Sequence, residues 1–250
     1  MKLIKNKKEM EAMLCAGKQL AKVFSELSFV FCIGKTTNEL DNFIFYLLDK
    51  HKMISKCFGY KKFSGHSCLS INDELVHGVP SNRVILETDL LKIDICASYN
   101  DFCADKARMF SFFENNEKYN HIKNCAEESL SAGISMFKSG KTVGCIGNAI
   151  EKVIKKYSFS VVTDFAGHGI GKNMHEDPQI LNYGFPNTGQ KFYVGMALAI
   201  EPMFCEFSSN VIIDKNDKWT VKTQDRGLAA HIEDTIILTE NGPIVTTELD

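Results

Sequence analysis

A pattern that occurs twice is the feature that most constrains the fold of this chain. Gly34-Lys-Thr36 precedes one amphipathic stretch, and Gly140-Lys-Thr142 precedes a similar stretch 106 residues later. Each copy follows another helical pattern, at about 6–28 and about 116–138, and each precedes a strand-rich stretch. A duplicated unit of two helices and several strands predicts an α/β fold of two pseudo-symmetric halves, with the helices outside a joined sheet.

The length and composition suit one domain with its own core. The chain has 250 residues, of which 44% are hydrophobic. This predicts a single domain over 1–250 with half-repeats at about 6–112 and 116–245. A net charge of −2 gives no electrostatic reason to expect nucleic acid or an anionic membrane as a partner.

No stretch of the sequence suits a membrane span or an export signal. The longest apolar runs, 43–48 and 194–200, are far too short to cross a bilayer. The lysines near the N-terminus lead into an amphipathic helix instead of an apolar signal core. The nine cysteines form no C-x-x-C pair, which argues against a disulfide framework or a zinc ribbon and predicts reduced, mostly buried thiols. We expect a soluble, cytoplasmic protein.

The repeated Gly-Lys-Thr string also resembles part of a phosphate-binding loop. That interpretation fails because Phe29 and Ser135 stand where the first glycine of the motif belongs. We expect Thr36 and Thr142 to cap the helices that follow them.

Two aspartates lie on a predicted β-hairpin, where carboxylates should avoid each other. A strand pattern over 90–97 ends in a polar turn, and a second strand pattern follows it. If the turn centres on Tyr99-Asn100, Asp94 and Asp105 are direct cross-strand neighbours with Cβ atoms about 5 Å apart. Like charges placed in this way are destabilising unless a cation lies between them.

A divalent metal, or two, is the simplest way to neutralise this pair, because we expect Lys92 and Lys106 to face away from it. Three other residues could complete the site: His168 in a glycine-rich stretch that we expect to be irregular, Glu201 at the end of an apolar run, and Glu233 before a buried strand. Four carboxylates and one imidazole could neutralise two ions, and these ligand types favour manganese, iron(II), cobalt or zinc. Each residue alone also suits an ordinary strand end or a carbonyl-bonded histidine.

Several segments of the chain resemble type I methionine aminopeptidase in their order and spacing, from the helix after Lys8 to Thr246. They are Ser70-Ile-Asn-Asp-Glu-Leu-Val-His77-Gly-Val-Pro80, Lys92-Ile-Asp94, Asp105 with Arg108-Met-Phe110, Gly167-His-Gly-Ile-Gly171 with His175-Glu-Asp-Pro178, Ile200-Glu-Pro-Met203, and Trp219-Thr-Val-Lys-Thr-Gln-Asp-Arg226 running on to Glu233. The resemblance implies the pita-bread fold, an α/β fold with an antiparallel curved sheet inside and helices outside. It also groups the chain with short bacterial or organellar forms that lack a zinc-binding N-terminal extension.

The resemblance assigns the metal ligands as well. Asp105 and Glu233 would bridge two divalent ions (cobalt, manganese, iron(II) or zinc), Asp94 and Glu201 would bind one ion each, and His168 would complete the cage.

The activity implied by the resemblance is removal of the initiator methionine when the second residue is small. A water that bridges the two ions would attack the carbonyl carbon, and Glu201 would pass its proton to the leaving amine. His77 would lie near the scissile amide nitrogen, and His175 would stabilise the oxygen of the tetrahedral intermediate. On the residues alone, either histidine could equally be a surface or capping residue. The methionine pocket would be lined by Cys57, Tyr60, Phe63, Cys68 and Trp219.

The partner implied is the N-terminal methionine of nascent polypeptides. The ribosome is a candidate partner, and we expect a monomer without direct contact to nucleic acid or membrane. Six positions depart from the usual pattern of the family without removing a ligand: Phe63, Cys103, Ala104, Lys106, Ala107 and Met174. Ala107 lacks the hydroxyl that usually follows the second aspartate, so we expect an effect on metal affinity.

Three other interpretations remain open. A proline-specific relative of the same fold, a prolidase or an Xaa-Pro aminopeptidase, would share the five ligands but usually carries a further N-terminal domain. A low-activity homologue acting as a binding module would normally lose ligands. A structural metal protein would not need His77 and His175 beside the cage.

Overall fold

Two pairs of helices lie where the repeated pattern predicts them. The computed structural model describes residues 3–27, 32–112 and 116–249. Within these ranges the α-helices are α1 (Lys7–Leu27), α2 (Thr37–Lys50), α3 (Glu117–Met136) and α4 (Val143–Lys156), and a short 3₁₀ helix covers Tyr60–Lys62. Residue 28, where the first predicted helix ends, lies outside the described residues.

The helices following the two Gly-Lys-Thr strings begin differently. Thr36 caps α2 in a capping box, because its side chain accepts from the backbone N–H of Glu39 while the Glu39 carboxylate accepts from the backbone N–H of Thr36. Thr142 also occupies the N-cap of α4, but its side chain makes no cap hydrogen bond. The predicted side-chain cap is therefore wrong for Thr142, whose hydroxyl lies 3.5 Å from the Cys145 sulfur instead.

The strands form several antiparallel sheets. They are β1 (Ile54–Ser55), β2 (Cys68–Ile71), β3 (Glu74–Val76), β4 (Leu90–Tyr99), β5 (Phe102–Ser111), β6 (Ser160–Val161), β7 (Ala166–Gly169), β8 (Glu176–Leu181), β9 (Ala197–Ile200), β10 (Met203–Cys205), β11 (Val211–Ile213), β12 (Val221–Thr223), β13 (Ala229–His231), β14 (Asp234–Thr239) and β15 (Gly242–Val245). One sheet is built on β4, which pairs with β1, β2 and β5, and another has the order β15-β14-β9-β7-β8. The two smaller sheets have the orders β13-β10-β6 and β11-β12-β3.

Each helix pair covers one of the larger sheets. Leu20 of α1 and Ile44 of α2 belong to one buried apolar cluster with Ile93 and Ile95 of β4. A second cluster joins side chains of α3 and α4 to those of β9 and β14. Each larger sheet therefore packs one face against a helix pair, and the helices lie outside. Within the described chain, none of the helices combines the length and apolarity that a bilayer crossing requires.

The hairpin that carries the two aspartates has a different register from the predicted one. Asp94 of β4 lies opposite Ala107 of β5, and Asp105 lies opposite Cys96. The turn residues are Asn100 and Asp101, with φ of 48° and 68°. A two-residue hairpin turn favours left-handed residues, and Asn and Asp adopt that conformation most readily after glycine. The predicted turn at Tyr99-Asn100 was therefore wrong, but a shift of two pairing positions keeps both aspartates on one face.

The two lysines of this hairpin bind elsewhere. Lys106 points to the opposite face, where its Nζ donates to Asp234 and to the carbonyl oxygen of Thr247. Lys92 lies two residues before Asp94, so alternation puts it on the same face, and our expectation for it was wrong. Its Nζ is nevertheless bound by the carbonyl oxygens of Asn72 and Ala229, each at 3.0 Å.

The glycine-rich stretch around His168 is a strand, not the irregular segment that we expected. Its first part is β7, between β8 and β9. A Cβ on Gly167 would lie 2.5 Å from the carbonyl oxygen of Ala199 in β9. Glycine is required here because the strand backbones approach closely, and the sheet supplies the order that the local sequence lacks. All nine cysteines are free, and eight of them are buried, as predicted.

Candidate metal centre

The five predicted ligands meet where the two larger sheets join. Asp94 and Asp105 come from β4 and β5, and His168 comes from β7. Glu201 directly follows β9, and Glu233 lies between β13 and β14. Ala107 of β5 and Glu233 exchange two backbone hydrogen bonds of 3.1 Å each. This bridge brings the aspartates of one sheet to the ligands of the other.

His168 lies at the centre of the carboxylates. Its Nε2 is 3.7 Å from Glu201 Oε1, 3.9 Å from Asp105 Oδ2 and 4.0 Å from Glu233 Oε1. Its Nδ1 donates to the carbonyl oxygen of Gly169 at 2.9 Å. In the neutral ring this bond leaves the Nε2 lone pair free for a metal.

Burial disfavours the charged forms of the four carboxylates. Burial, with the charge of Glu201, raises the pKa of Asp105 to about 7. Burial raises the pKa of Glu201 to about 8 and raises the pKa values of Asp94 and Glu233 well above their ordinary range. The opposite effect of burial on a base lowers the pKa of His168 to about 3. The imidazole is therefore neutral and able to act as a ligand.

Unpartnered oxygen atoms show that the cage fits a divalent metal. Within the described chain, Asp105 Oδ1 and Glu233 Oε1 are buried and have no hydrogen-bond partner. Such atoms are costly unless a cation binds them. Oxygen atoms and one imidazole nitrogen are donors that suit manganese, iron(II), cobalt or zinc.

The backbone around the cage is held by hydroxyl and amide groups. Thr235 Oγ1 accepts from the backbone N–H of Asp105 at 2.8 Å and donates to its carbonyl oxygen at 2.9 Å. Asn182 Nδ2 donates to the carbonyl oxygen of Glu201 at 3.0 Å. Asp105 is therefore fixed from β14, although Ala107 provides no hydroxyl beside it.

A cavity of about 210 Å³ opens directly onto the cage. All twelve predicted site residues line it: Cys57, Tyr60, Phe63, Cys68, His77, Asp94, Asp105, His168, His175, Glu201, Trp219 and Glu233. Trp219 packs edge-on against Phe63, with ring centroids 5.3 Å apart, and Met174 completes the wall. The cavity thus has a charged floor and an apolar, aromatic side.

The two further histidines both line this cavity. His77 adopts a φ of 58° and packs edge-on against Trp219 with centroids 5.9 Å apart. His175 lies 4.4 Å from the ring of His168, and its Nδ1 is 3.2 Å from the Tyr60 hydroxyl. Burial lowers the pKa of His77 to about 4 and also lowers the pKa of His175. Both rings are neutral at physiological pH.

Sequence reasoning missed three residues of this site. Lys61 and Cys96 also line the cavity, and His231 reaches the cage from β13. The Nε2 of His231 lies 3.2 Å from Glu201 Oε2. The available signal was its position two residues before Glu233, since alternate residues of an extended chain point the same way.

The comparison with known proteins agrees with the geometry. The chain matches metallopeptidase family M24 over residues 11–240. It belongs to this family. A methionine aminopeptidase of Clostridium acetobutylicum is 38% identical over 246 residues, covering 98% of both chains. The crystal structure of methionine aminopeptidase from Thermotoga maritima superimposes with a TM-score of 0.95 and 35% identity, covering 100% of both chains.

The comparisons confirm the predicted resemblance and the pita-bread fold. The chain is an M24 metallopeptidase, and enzymes of this family use divalent metals. A prolidase from Pyrococcus furiosus has a TM-score of 0.79 at 24% identity, a likeness that shows the fold alone. This chain spans only 66% of that prolidase.

Proposed function

We propose that this M24 metallopeptidase removes the initiator methionine from polypeptides whose second residue is small. The observation that carries the proposal is the apolar cavity directly beside the carboxylate cage. A confined apolar wall suits an unbranched thioether side chain, and the cage beside it suits a free α-amine and the first peptide bond. Confinement also disfavours a large second side chain.

The protein residues have distinct roles in this proposal. Asp94, Asp105, His168, Glu201 and Glu233 hold two divalent ions. When bound, the ions polarise the scissile carbonyl and make a water molecule acidic near neutral pH. Glu201 accepts the proton of the attacking water and delivers it to the leaving amine, a task that suits its raised pKa of about 8.

The histidines act on the substrate. Tyr60 donates its hydroxyl hydrogen to Nδ1 of His175, at 3.2 Å, which leaves the Nε2–H of His175 free to donate to the carbonyl oxygen. A donor aimed at a developing oxyanion stabilises charge that exists only in the transition state. His77, which also lines the cavity, contacts the scissile amide nitrogen.

The cellular location and the partners in this proposal follow from the activity. We place the protein in the cytoplasm, acting as a monomer on nascent polypeptides, with the ribosome as candidate partner. The whole chain forms one catalytic domain of two half-repeats, about 6–112 and 116–245.

The competing function is that of a proline-specific peptidase of the same fold. The two are separated by hydrolysis of Met-Gly-Met, Met-Lys-Met and Gly-Pro by the reduced protein loaded with manganese or cobalt. We expect Met-Gly-Met to be cleaved fastest, because its second residue is small. A one-methylene misfit in an apolar pocket costs about 1–3 kcal/mol, so norleucine at the first position should be tolerated. Preferred cleavage of Gly-Pro would contradict the proposal, and equal rates for Met-Gly-Met and Met-Lys-Met would remove its link to the initiator methionine.

A further inference from the structure

An imidazole outside the predicted ligand set lies against the metal cage. His231 ends β13, and its partner across the strand pair is Met203 of β10. Glu201 lies two residues before Met203, so this pairing brings His231 beside Glu201. The side chain of His231 is 2% exposed, so bulk solvent is excluded from most of the ring.

The Nε2 atom of His231 lacks a hydrogen-bond partner within the described chain, although it is buried. It lies 3.2 Å from Glu201 Oε2 and 3.8 Å from Glu233 Oε2. A buried polar atom without a partner is costly. One nitrogen and two carboxylate oxygens this close together have the separations of ligands that share one ion.

The two glutamates divide their oxygen atoms between the two imidazoles. Glu201 Oε1 and Glu233 Oε1 face His168, at 3.7 Å and 4.0 Å from its Nε2. The Oε2 atoms of the same residues face His231. Each glutamate therefore presents one oxygen to each ring, and the two Oε2 atoms form a candidate three-ligand group with His231.

We propose that His231 is a sixth protein ligand of the centre, binding one ion through Nε2 together with the Oε2 atoms of Glu201 and Glu233. The inference rests on the proposed metallopeptidase function. In this arrangement each ion has one imidazole ligand, His168 for one ion and His231 for the other. Imidazole favours zinc, cobalt and iron(II) over harder ions, so the second imidazole shifts the preference of one position towards those metals.

The test is a titration of the reduced, metal-free protein with cobalt(II), measured by calorimetry. We expect two binding steps for the wild type. His231→Ala and His231→Gln should each weaken one step at least about tenfold, since even residues that only orient ligands contribute 10–100-fold. His77→Ala is the matched control, because it removes another imidazole of the same cavity and should leave both steps unchanged.

Several results would overturn the inference. Unchanged binding by both His231 variants would do so, and so would restoration of wild-type affinity in His231→Gln, because glutamine can replace a hydrogen bond to Glu201 but not an imidazole ligand. A zinc-loaded crystal structure of the wild type tests the same point without any substitution. We expect a metal–Nε2 distance of about 2.0–2.1 Å, and a distance beyond about 3 Å would exclude coordination.

Failure of the proposed function would look different. If the cage held no metal, the wild type would bind cobalt no better than Asp105→Ala does. Loss of binding in Asp105→Ala with intact binding in His231→Ala would overturn the sixth ligand alone.

Discussion

At the scale of single residues, burial makes the cage receptive to cations. Asp105 and Glu233 each have a buried oxygen without a hydrogen-bond partner in the described chain. The metal site could be recognised in the sequence because Asp94 and Asp105, on one face of a hairpin, repel each other unless a cation lies between them. His231 was missed because a lone histidine in an apolar run more often belongs to the core. Only the pairing of β13 with β10, which is a long-range contact, brings it to Glu201.

The raised pKa of Asp105 gives a pH dependence that can be measured without metal. The folded pKa is about 7 against an ordinary value of 3.8, so the stability linked to its proton is fully present below about pH 4 and is lost as the pH rises to about 7. Asp105→Asn removes this loss. We expect the free energy of unfolding of the variant, relative to wild type, to increase over that range by at most about 1.4 kcal/mol per pH unit.

Denaturant titrations of both chelator-treated proteins from pH 4 to pH 8 measure the difference. Above about pH 7 it should become constant. A difference that does not change with pH would show that the Asp105 carboxyl does not hold a proton in the metal-free fold.

At the scale of elements, close backbone packing determines where the predicted ligands lie. The helices could be predicted from their apolar periodicity and from the capping pattern at Thr36. The strand β7 could not, because glycines have no strand preference and only its neighbours β8 and β9 order it. The hairpin register was wrong by two positions because Asn100-Asp101 lacks the glycine that usually marks such a turn.

Gly167→Ala tests the link between this packing and the cage. The added Cβ would lie 2.5 Å from the Ala199 carbonyl oxygen and 3.3 Å from Cγ of Glu201. We expect lower stability and at least about tenfold weaker metal binding by the folded fraction, as for loss of an orienting contact. Calorimetric titration with cobalt measures the binding.

Gly144→Ala is the matched control. Its Cβ would meet the Phe185 carbonyl oxygen at 2.2 Å and Thr188 Oγ1 at 2.4 Å, a clash in α4 that is at least as severe but involves none of the predicted ligands. It should destabilise the protein without changing the metal affinity of the folded fraction. Equal effects of the two substitutions on metal affinity would contradict a specific role for β7.

At the scale of the whole molecule, the metal centre joins two sheets that otherwise share little backbone pairing. The bridge between Ala107 and Glu233 connects β5 to the segment before β14. The internal repeat allowed the two helix pairs and their outer position to be predicted. The repeat did not indicate how the strands are distributed among the four sheets. Strands as short as β6 and β13 are defined only by the strands they pair with.

Metal binding should therefore stabilise the entire fold. At a free metal concentration 100 times the dissociation constant, we expect a gain of about 2.7 kcal/mol per ion in the free energy of unfolding. Asp105→Asn should show almost none of this gain, and His77→Ala should show all of it. Unfolding curves with and without manganese measure the effect, and equal gains in wild type and Asp105→Asn would place the stabilising ion elsewhere.

Anomalous diffraction from crystals soaked in manganese or cobalt tests the central claim most directly. We predict two peaks inside the cage, with metal–ligand distances of about 2.0–2.2 Å. One of the peaks should be bound by His168 Nε2, and both should be bridged by Asp105 and Glu233. Full occupancy of metal at any other place, with the carboxylates of Asp94, Asp105, Glu201 and Glu233 left without an ion, would contradict the account.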